Sequence, residues 1–266
     1  MKLFWQKLAS VAKRDLLVTV RLRGGLATLI SLVFEVGGLF FLARSVGSGY
    51  RPEGIDYFAF ATVGTAFVTF LIAGMGSFIQ VIQEFQGTGM LEVVLNTRTS
   101  PSSVICFNAA PSLVRYGLSL FVTFLTAYAL LGGSPPNFNA LSAVVTFLLS
   151  VLLIASLGLL AVALHLVARK GPALLWITGS ATWLLSGTMY PVGALPPLLQ
   201  KLAMLVPITY AINAFRGAVL KGSSLGELRV ELFALVLLIV VLGPLSIFLV
   251  NAALRVARRR GLLTIF

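Results

Sequence analysis

The sequence of 266 residues is poor in the residue types that build metal sites, disulfides and soluble surfaces. It has one cysteine, Cys106, and one histidine, His165, so an intrachain disulfide is impossible. A Cys/His metal site, which needs three or four nitrogen or sulfur ligands, is excluded as well. Charged residues make up 11% of the chain, against about 25% in ordinary globular domains. A water-soluble domain is therefore excluded.

Acidic residues are scarcer than basic ones: 8 Asp and Glu stand against 20 Lys and Arg, a formal net charge of +12. In a soluble chain this imbalance would favour nucleic acid as a partner. Here, however, hydrophobic residues reach 58% and lie in long runs with almost no charge. The basic residues therefore indicate membrane topology, and nucleic-acid binding is not expected.

Six stretches are apolar over the length of about 20 residues that a membrane helix needs. They predict an all-α membrane protein with a single transmembrane domain over residues 1–266. The predicted spans lie at about 25–46, 57–82, 103–131, 140–168, 172–190 and 230–254. The segment 191–229 is apolar but interrupted by prolines, and we expect it to form re-entrant helices whose backbone is buried in protein.

Six spans place both termini on one side of the membrane, and the basic residues indicate which side. Fourteen of the 20 Lys and Arg fall on the side of the termini and six on the other, which predicts cytoplasmic termini. Residues 1–23 are basic on one helical face and apolar on the other, which is typical of an amphipathic helix lying in the interface. A basic topology signal with no further role is the alternative. A cleaved signal peptide is not expected, because this segment lacks a short apolar stretch.

The loop between the second and third predicted spans, residues 83–101, is expected to contain a short helix. Thr88 is a plausible N-cap, and Pro101 ends the element. The helix would carry an apolar patch formed by Met90, Leu91, Val94 and Leu95. An exposed patch of this kind suits docking into the groove of a partner, and the alternative is a helix packed on its own bundle.

Two charged residues of opposite sign, Glu35 and Arg115, lie inside predicted spans. At 1.5 Å per residue, their depths from the cytoplasmic side are about 15 and 18 Å. We therefore predict an ion pair within the bundle, which would spare each group an unpaired charge in a medium of low dielectric constant. The alternative is that Glu35 faces an aqueous conduit while Arg115 extends toward the interface.

Two segments of the chain carry motifs of a known family. The first is the run from Gln83 to Pro101, which carries Glu84, the sequence Gly-Thr-Gly-Met-Leu-Glu at 87–92 and Ser-Pro at 100–101. It resembles the cytoplasmic segment through which the permeases of type-2 ABC transporters are coupled to their ATPase.

The second segment is similar to the sequence that follows the fifth span in this family. It contains Ser-Gly-Thr-Met-Tyr-Pro at 186–191, Leu-Pro-Pro at 195–197, Pro-Ile-Thr-Tyr at 207–210 and then Arg216. Chain size, span number and the amphipathic N-terminal helix are similar too, so the resemblance covers essentially the whole chain.

The resemblance implies a permease subunit of an ATP-driven exporter whose cargo is a polysaccharide, a lipid or a hydrophobic drug. It implies a multi-pass protein of the inner (plasma) membrane, in contact with lipid. The protein would pair with a second permease chain, expected to be a copy of itself. Energy would come from two copies of a separate cytoplasmic ABC ATPase, which would bind ATP and Mg.

The resemblance also assigns residues. In this family the segment after the second span takes the mechanical input from the ATPase, which implies ATPase-coupling roles for Glu84, Gly87, Thr88, Met90, Leu91 and Glu92. The proline-rich segment after the fifth span forms short helices that dip into the outer leaflet. The shape of this segment is expected to depend on Pro191, Pro196 and Tyr210.

No ATP site is visible in the chain itself. The nearest approach to a P-loop, residues 217–224, has Ser223 where the phosphate-binding lysine must stand. We therefore expect no bound cofactor and no enzymatic activity in this chain. The alternative function is an ion-coupled secondary transporter with no ATPase partner. That class often has broken helices in two repeated halves, whereas one broken region is visible in this sequence.

Overall fold

A computed structural model describes residues 24–47, 49–96, 99–131, 137–168 and 171–259. The predicted interfacial helix of residues 1–23 lies outside the described residues. In the described part the chain folds into α-helices α1 (Gly24–Val46), α2 (Tyr57–Gly87), α3 (Met90–Asn96), α4 (Pro101–Leu131), α5 (Ala140–Ala168), α6 (Gly171–Leu185), α7 (Pro197–Ala203), α8 (Pro207–Arg216) and α9 (Arg229–Arg259). The all-helical fold class is thereby confirmed.

Short turns complete the connections. One 3-10 turn, Pro52–Gly54, precedes α2, and another, Val192–Ala194, precedes α7. A π-helical turn, Gly217–Lys221, continues α8. The segment 191–229 therefore contains short helices, and its re-entrant placement in the membrane stays a prediction.

Four helical stretches in the described chain are long and apolar enough to cross a membrane: Tyr57–Gly87, Pro101–Ala129, Ala140–Val167 and Arg229–Val256. A fifth is added if α7 and Pro207–Lys221, which are bent by 89° relative to each other, form one broken span. Helices α1 and α6 occupy the positions of the first and fifth predicted spans. The chain is therefore a multi-pass membrane protein, and the count of six spans stays a prediction.

Local sequence explains where several helices begin. The side chain of Asp56 accepts hydrogen bonds from the backbone N–H groups of Phe58 and Ala59, at 3.0 and 3.4 Å, and so caps the start of α2. Helices α7 and α8 begin with Pro197 and Pro207. Proline lacks a backbone N–H, and this costs no hydrogen bond here because the N–H groups of a first helical turn have no acceptor within the helix.

Helix α2 is the centre of the bundle. Of its most apolar stretch, 78% is buried, whereas the corresponding stretch of α9 is 17% buried. The ring of Phe67 in α2 stacks on Phe215 of α8 with a centroid distance of 4.1 Å, and Phe70 stacks on Phe147 of α5 at 5.1 Å. Offset stacks of this kind add to the burial of the rings. These aromatic contacts fix α2 against both the long helix α5 and the bent segment.

Candidate functional site

The first candidate site is the junction between α2 and α3. The Thr88 hydroxyl donates a hydrogen bond to the Glu84 carbonyl oxygen at 2.7 Å, and the Thr88 backbone N–H donates to the same oxygen at 3.0 Å. Thr88 is therefore the C-cap of α2, and the prediction that it caps α3 is wrong. The chain reverses at Gly89, whose φ of +70° is accessible to glycine at little cost.

Helix α3 has one buried and one exposed apolar face. Leu91 and Val94 are 1% and 8% exposed and belong to the main hydrophobic core, whereas Met90 and Val93 are 53% and 62% exposed. The expectation of an exposed patch containing Leu91 and Val94 is therefore wrong, because these residues, three positions apart, both face the bundle. The side chains of Glu92 and Leu95 lie outside the described residues.

Five of the residues at this junction present an exposed surface next to the end of α2. Glu84, Gly87 and Thr88 are exposed there alongside Met90 and Val93. We call these five residues the α3 surface. It combines an acidic group, an open backbone and two apolar side chains, which is a composition suited to contact with another protein.

The second candidate site surrounds Arg216, the last residue of α8, which is 3% exposed. Its Nη1 donates to the carbonyl oxygen of Gly187 at 3.1 Å, and its Nη2 donates to the carbonyl oxygens of Thr188 at 2.9 Å and Phe60 at 3.2 Å. The guanidinium carbon also lies 3.6 Å from the centroid of the Phe60 ring. We call this set of contacts the Arg216 clamp. It joins α8, the turn after α6 and the first turn of α2.

Two glycines make room for the clamp. A Cβ at Gly64 would overlap both the Arg216 Nη2 and the Thr188 carbonyl oxygen, so α2 can approach this closely only where a side chain is missing. Gly187 has a φ of +74°, and a Cβ there would lie 2.9 Å from the side chain of Val192. The turn after α6 therefore needs glycine both for its backbone conformation and for its packing.

The position of Arg216 at the end of α6 also has an electrostatic reason. The carbonyl groups in the last turn of α6, just before Gly187, carry the negative end of the helix dipole, and a cation near this end is stabilised. The hydroxyls of Ser186 and Thr188 lie 2.9 Å apart, and the Ser186 hydroxyl donates to the Thr182 carbonyl oxygen. Both hydroxyls are buried. The turn is thus held by polar contacts on both sides of Gly187.

The sequence identified Arg216 as the last residue of the second motif and indicated no contacts for it. The available signal was its position at the end of an apolar helix, since a charged residue in such surroundings is costly unless it is paired. The partners, however, are backbone carbonyl groups, which the sequence pattern does not mark.

The expected shape-setting residues lie at the boundaries of the short helices. The carbonyl oxygen of Pro191 accepts a hydrogen bond from the Ala194 N–H at 2.9 Å, and that of Pro196 accepts one from the Gln200 N–H at 3.0 Å. The Tyr210 hydroxyl donates to the Met204 carbonyl oxygen at 2.9 Å, across the bend between α7 and α8.

The predicted ion pair between Glu35 and Arg115 does not form. Arg115 lies on the exposed side of α4, where its Nη2 is 3.4 Å from the Tyr116 hydroxyl and its guanidinium carbon is 5.1 Å from the centroid of that ring. Glu35 is half-buried in α1 beside Val36, which is fully buried. A similar depth along two helices does not bring two side chains together unless both helices also turn them toward each other.

An exposed ion pair joins Lys221 to Glu53 at 2.7 Å, with side chains 42% and 40% exposed. We expect Glu53→Gln to lower the free energy of unfolding by less than about 1 kcal/mol, because exposed ion pairs are screened by solvent. Thermal unfolding of the purified protein in detergent would measure the change. Lys221→Gln should have the same effect, since it removes the same interaction, and a large drop in melting temperature for both variants would contradict this expectation.

A shallow, open cleft of about 640 Å³ lies along α6, with Ile72 of α2 at its edge. Its lining is mainly aromatic and aliphatic, with Trp176, Trp183 and Tyr190 among the lining residues and Ser180 as a polar group. Such a surface suits apolar chains or flat rings. In the part of the chain that the structure describes, no group of three or more His, Cys, Asp or Glu residues could hold a metal ion.

Residues 6–220 match the family model described as ABC-2 type transporter. The matched range includes both the α3 surface and the Arg216 clamp. No curated protein matches the chain.

Proposed function

The chain belongs to the ABC-2 type transporter family, and on that premise we propose that it is the permease subunit of an ATP-driven exporter. As a member of this family it is a membrane-spanning transport component and not itself catalytic. The finer assignment concerns its partners, its orientation and its cargo.

The exposed face of α3 is the observation that carries the proposal. Met90 and Val93 remain exposed although their neighbours Leu91 and Val94 are buried. Helix α3 therefore packs on the bundle through one face, while its other face is exposed and can contact a partner. Exposed apolar side chains on a short, fixed helix are suited to a groove in a partner protein, and the proposed partner is a cytoplasmic ABC ATPase.

The ATPase is proposed to be a separate subunit because the P-loop-like segment of this chain, residues 217–224, does not have the required fold. A P-loop joins a strand to the start of a helix. In this chain Gly217–Lys221 is instead a π-helical turn at the end of α8, followed by Gly222 with a φ of +65°. ATP and Mg would accordingly be bound by two copies of the partner ATPase, and none of the residues described would take part in hydrolysis.

The second permease chain is proposed to be another copy of this one, so that two bundles enclose the pathway. Large apolar side chains are exposed along α1, α4 and α9, including Phe34, Phe41, Phe121 and Phe248. These faces would be divided between lipid and the second copy. The proposed orientation has both termini in the cytoplasm and the bent α7–α8 pair in the outer leaflet of the inner membrane. It rests on the distribution of basic residues.

The cargo class is proposed from the cleft along α6. Its aromatic lining would accept a lipid, a hydrophobic drug or the sugar rings of a polysaccharide. The ion-coupled alternative has less support, because it predicts paired broken helices in two repeated halves, and the described residues contain one bent pair.

Purification from native membranes in mild detergent would test the proposal. We expect an ATP-hydrolysing subunit to elute with the permease at equal stoichiometry. Its reproducible absence, with the permease intact and monodisperse, would refute the ATP-driven exporter and favour a transporter driven by an ion gradient.

A further inference from the structure

Helix α2 physically links the two candidate sites. It is a continuous helix of 31 residues, about 46 Å long at 1.5 Å per residue. One end carries the α3 surface and the other end carries Phe60 and Gly64 of the Arg216 clamp. Because α2 is continuous and has no proline, a displacement of one end would be transmitted to the other end as in a stiff rod.

Both ends of this rod are attached to their neighbours by specific contacts. At the α3 end, Leu91 and Val94 are buried in the same core cluster as Phe85 of α2. At the other end, Arg216 bonds to the Phe60 carbonyl oxygen and to two carbonyl oxygens of the turn after α6. A displacement of α3 would therefore be passed through α2 to the end of α6 and to α8.

We propose that Arg216 is the positioning residue that makes the outer end of α6 and the bent α7–α8 pair follow the movement of α2. This inference rests on the proposed function, since the movement would originate in an ATPase docked on the α3 surface. The guanidinium bonds directly to both moving parts. Without it, the turn at Gly187 and Thr188 would lose its hydrogen-bonded connection to α2 and α8, although the stack of Phe67 on Phe215 would still hold α8 against α2.

Arginine is required at this position for a geometric reason. A guanidinium group presents several N–H donors in one plane, and it can reach three carbonyl oxygens while lying against the Phe60 ring. The ammonium group of a lysine is a single point charge and cannot make this set of contacts. Gly64 is part of the same device, because a Cβ there would displace Nη2 from its position between α2 and the turn.

The test uses reporters on the two sides of the clamp, in a Cys106→Ser background that removes the single native cysteine. Lys201→Cys, on the exposed face of α7, reports on the outer segment, and Gln80→Cys, exposed on α2, reports on the rod. The permease with its ATPase would be placed in lipid nanodiscs. The rate of reaction with a water-soluble thiol reagent would then be measured with and without ATP and vanadate.

We expect ATP to change the reactivity of both reporters in the complex with native Arg216. In Arg216→Gln, the ATP-dependent change at Lys201→Cys should fall by roughly fivefold or more, the lower end of usual coupling between distant sites. The change at Gln80→Cys and the basal ATP hydrolysis should persist. Arg216→Lys should give an intermediate loss, and Arg229→Gln, which replaces an exposed arginine outside the clamp, should give none.

Gly64→Ala provides a second route to the same outcome. It should weaken the outer response even though Arg216 is present, because a Cβ there would overlap both the Arg216 Nη2 and the Thr188 carbonyl oxygen and would push the turn away from α2. Equal loss at both reporters, or loss of the ATPase from the Arg216 and Gly64 variants, would mean that the clamp only stabilises the fold, and would overturn the inference. An unchanged outer response in Arg216→Gln would overturn it as well.

The two proposals fail in distinguishable ways. If no ATP-hydrolysing subunit can be recovered with the permease, the exporter assignment is refuted and the inference is lost with it. If ATP alters neither reporter in a complex that hydrolyses ATP, no movement reaches α2, and the inference is refuted while the exporter assignment stands. If ATP changes the reactivity of Gln80→Cys, but the ATP-dependent change at Lys201→Cys is the same with and without Arg216, only the role of the clamp is refuted. The exporter assignment then stands.

Discussion

Val93→Asp should release the partner ATPase while leaving the helical bundle folded. The side chain of Val93 is 62% exposed on α3 and makes little contribution to the core. If the ATPase covers it, the substitution removes an apolar contact that contributes about 1.5–3 kcal/mol. It also buries a carboxylate without a partner. We therefore expect the affinity of the permease for the ATPase to fall by about tenfold to a hundredfold. The fraction of ATPase that elutes with the permease would measure this change.

Two control variants make this result specific. Ser103→Asp places the same charge at an exposed position at the start of α4, outside the α3 surface, and should leave ATPase binding unchanged. Leu91→Asp should instead destabilise the permease itself, because Leu91 is 1% exposed in the main core. Normal co-elution of the ATPase with Val93→Asp would remove the α3 surface from the docking site.

Phe215→Ala should strongly destabilise the permease. Phe215 is 5% exposed, and its ring stacks on Phe67 at 4.1 Å and lies 5.8 Å from the ring of Phe124. Truncation would leave a cavity where α8 packs on α2 and α4. Comparable losses of buried phenylalanine cost about 3–5 kcal/mol. Thermal or SDS-induced unfolding of the purified permease would measure the change.

Phe248→Ala is the matched control for this experiment. Phe248 is 62% exposed on α9, so truncation should alter the free energy of unfolding by no more than about 0.5 kcal/mol. Similar losses of stability for the two variants would show that the stack between α2 and α8 does not determine how the bent segment is held.

The positions of the helices follow closely from the sequence. Helix α1 covers Gly24–Val46 where a span was predicted at about 25–46, and α5 covers Ala140–Ala168 where one was predicted at 140–168. Runs of apolar residues and breaks at proline or glycine act over short distances along the chain. They can therefore be recognised from the sequence alone. Which side of a helix faces the bundle is a different matter.

The two wrong predictions about side-chain placement share this cause. Leu91 was placed in an exposed patch because α3 has apolar residues on more than one side, and only packing against α2 and α4 distinguishes them. The pairing of Glu35 with Arg115 was predicted from matched depth and opposite charge. Depth follows from counting residues, whereas the direction of each side chain depends on how each helix is rotated in the bundle.

By itself, the sequence determined that this is an all-helical membrane protein, that it resembles the type-2 ABC permeases, and that its proline-rich segment is broken into short helices. These properties depend on composition and on patterns within about 20 residues. The tertiary structure alone decided which face of α3 is free and what surrounds Arg216. The clamp joins Phe60 to Arg216, which are 156 positions apart in the chain, through a backbone carbonyl group. Every residue has such a group, so only the folded arrangement shows which of them accepts the bond.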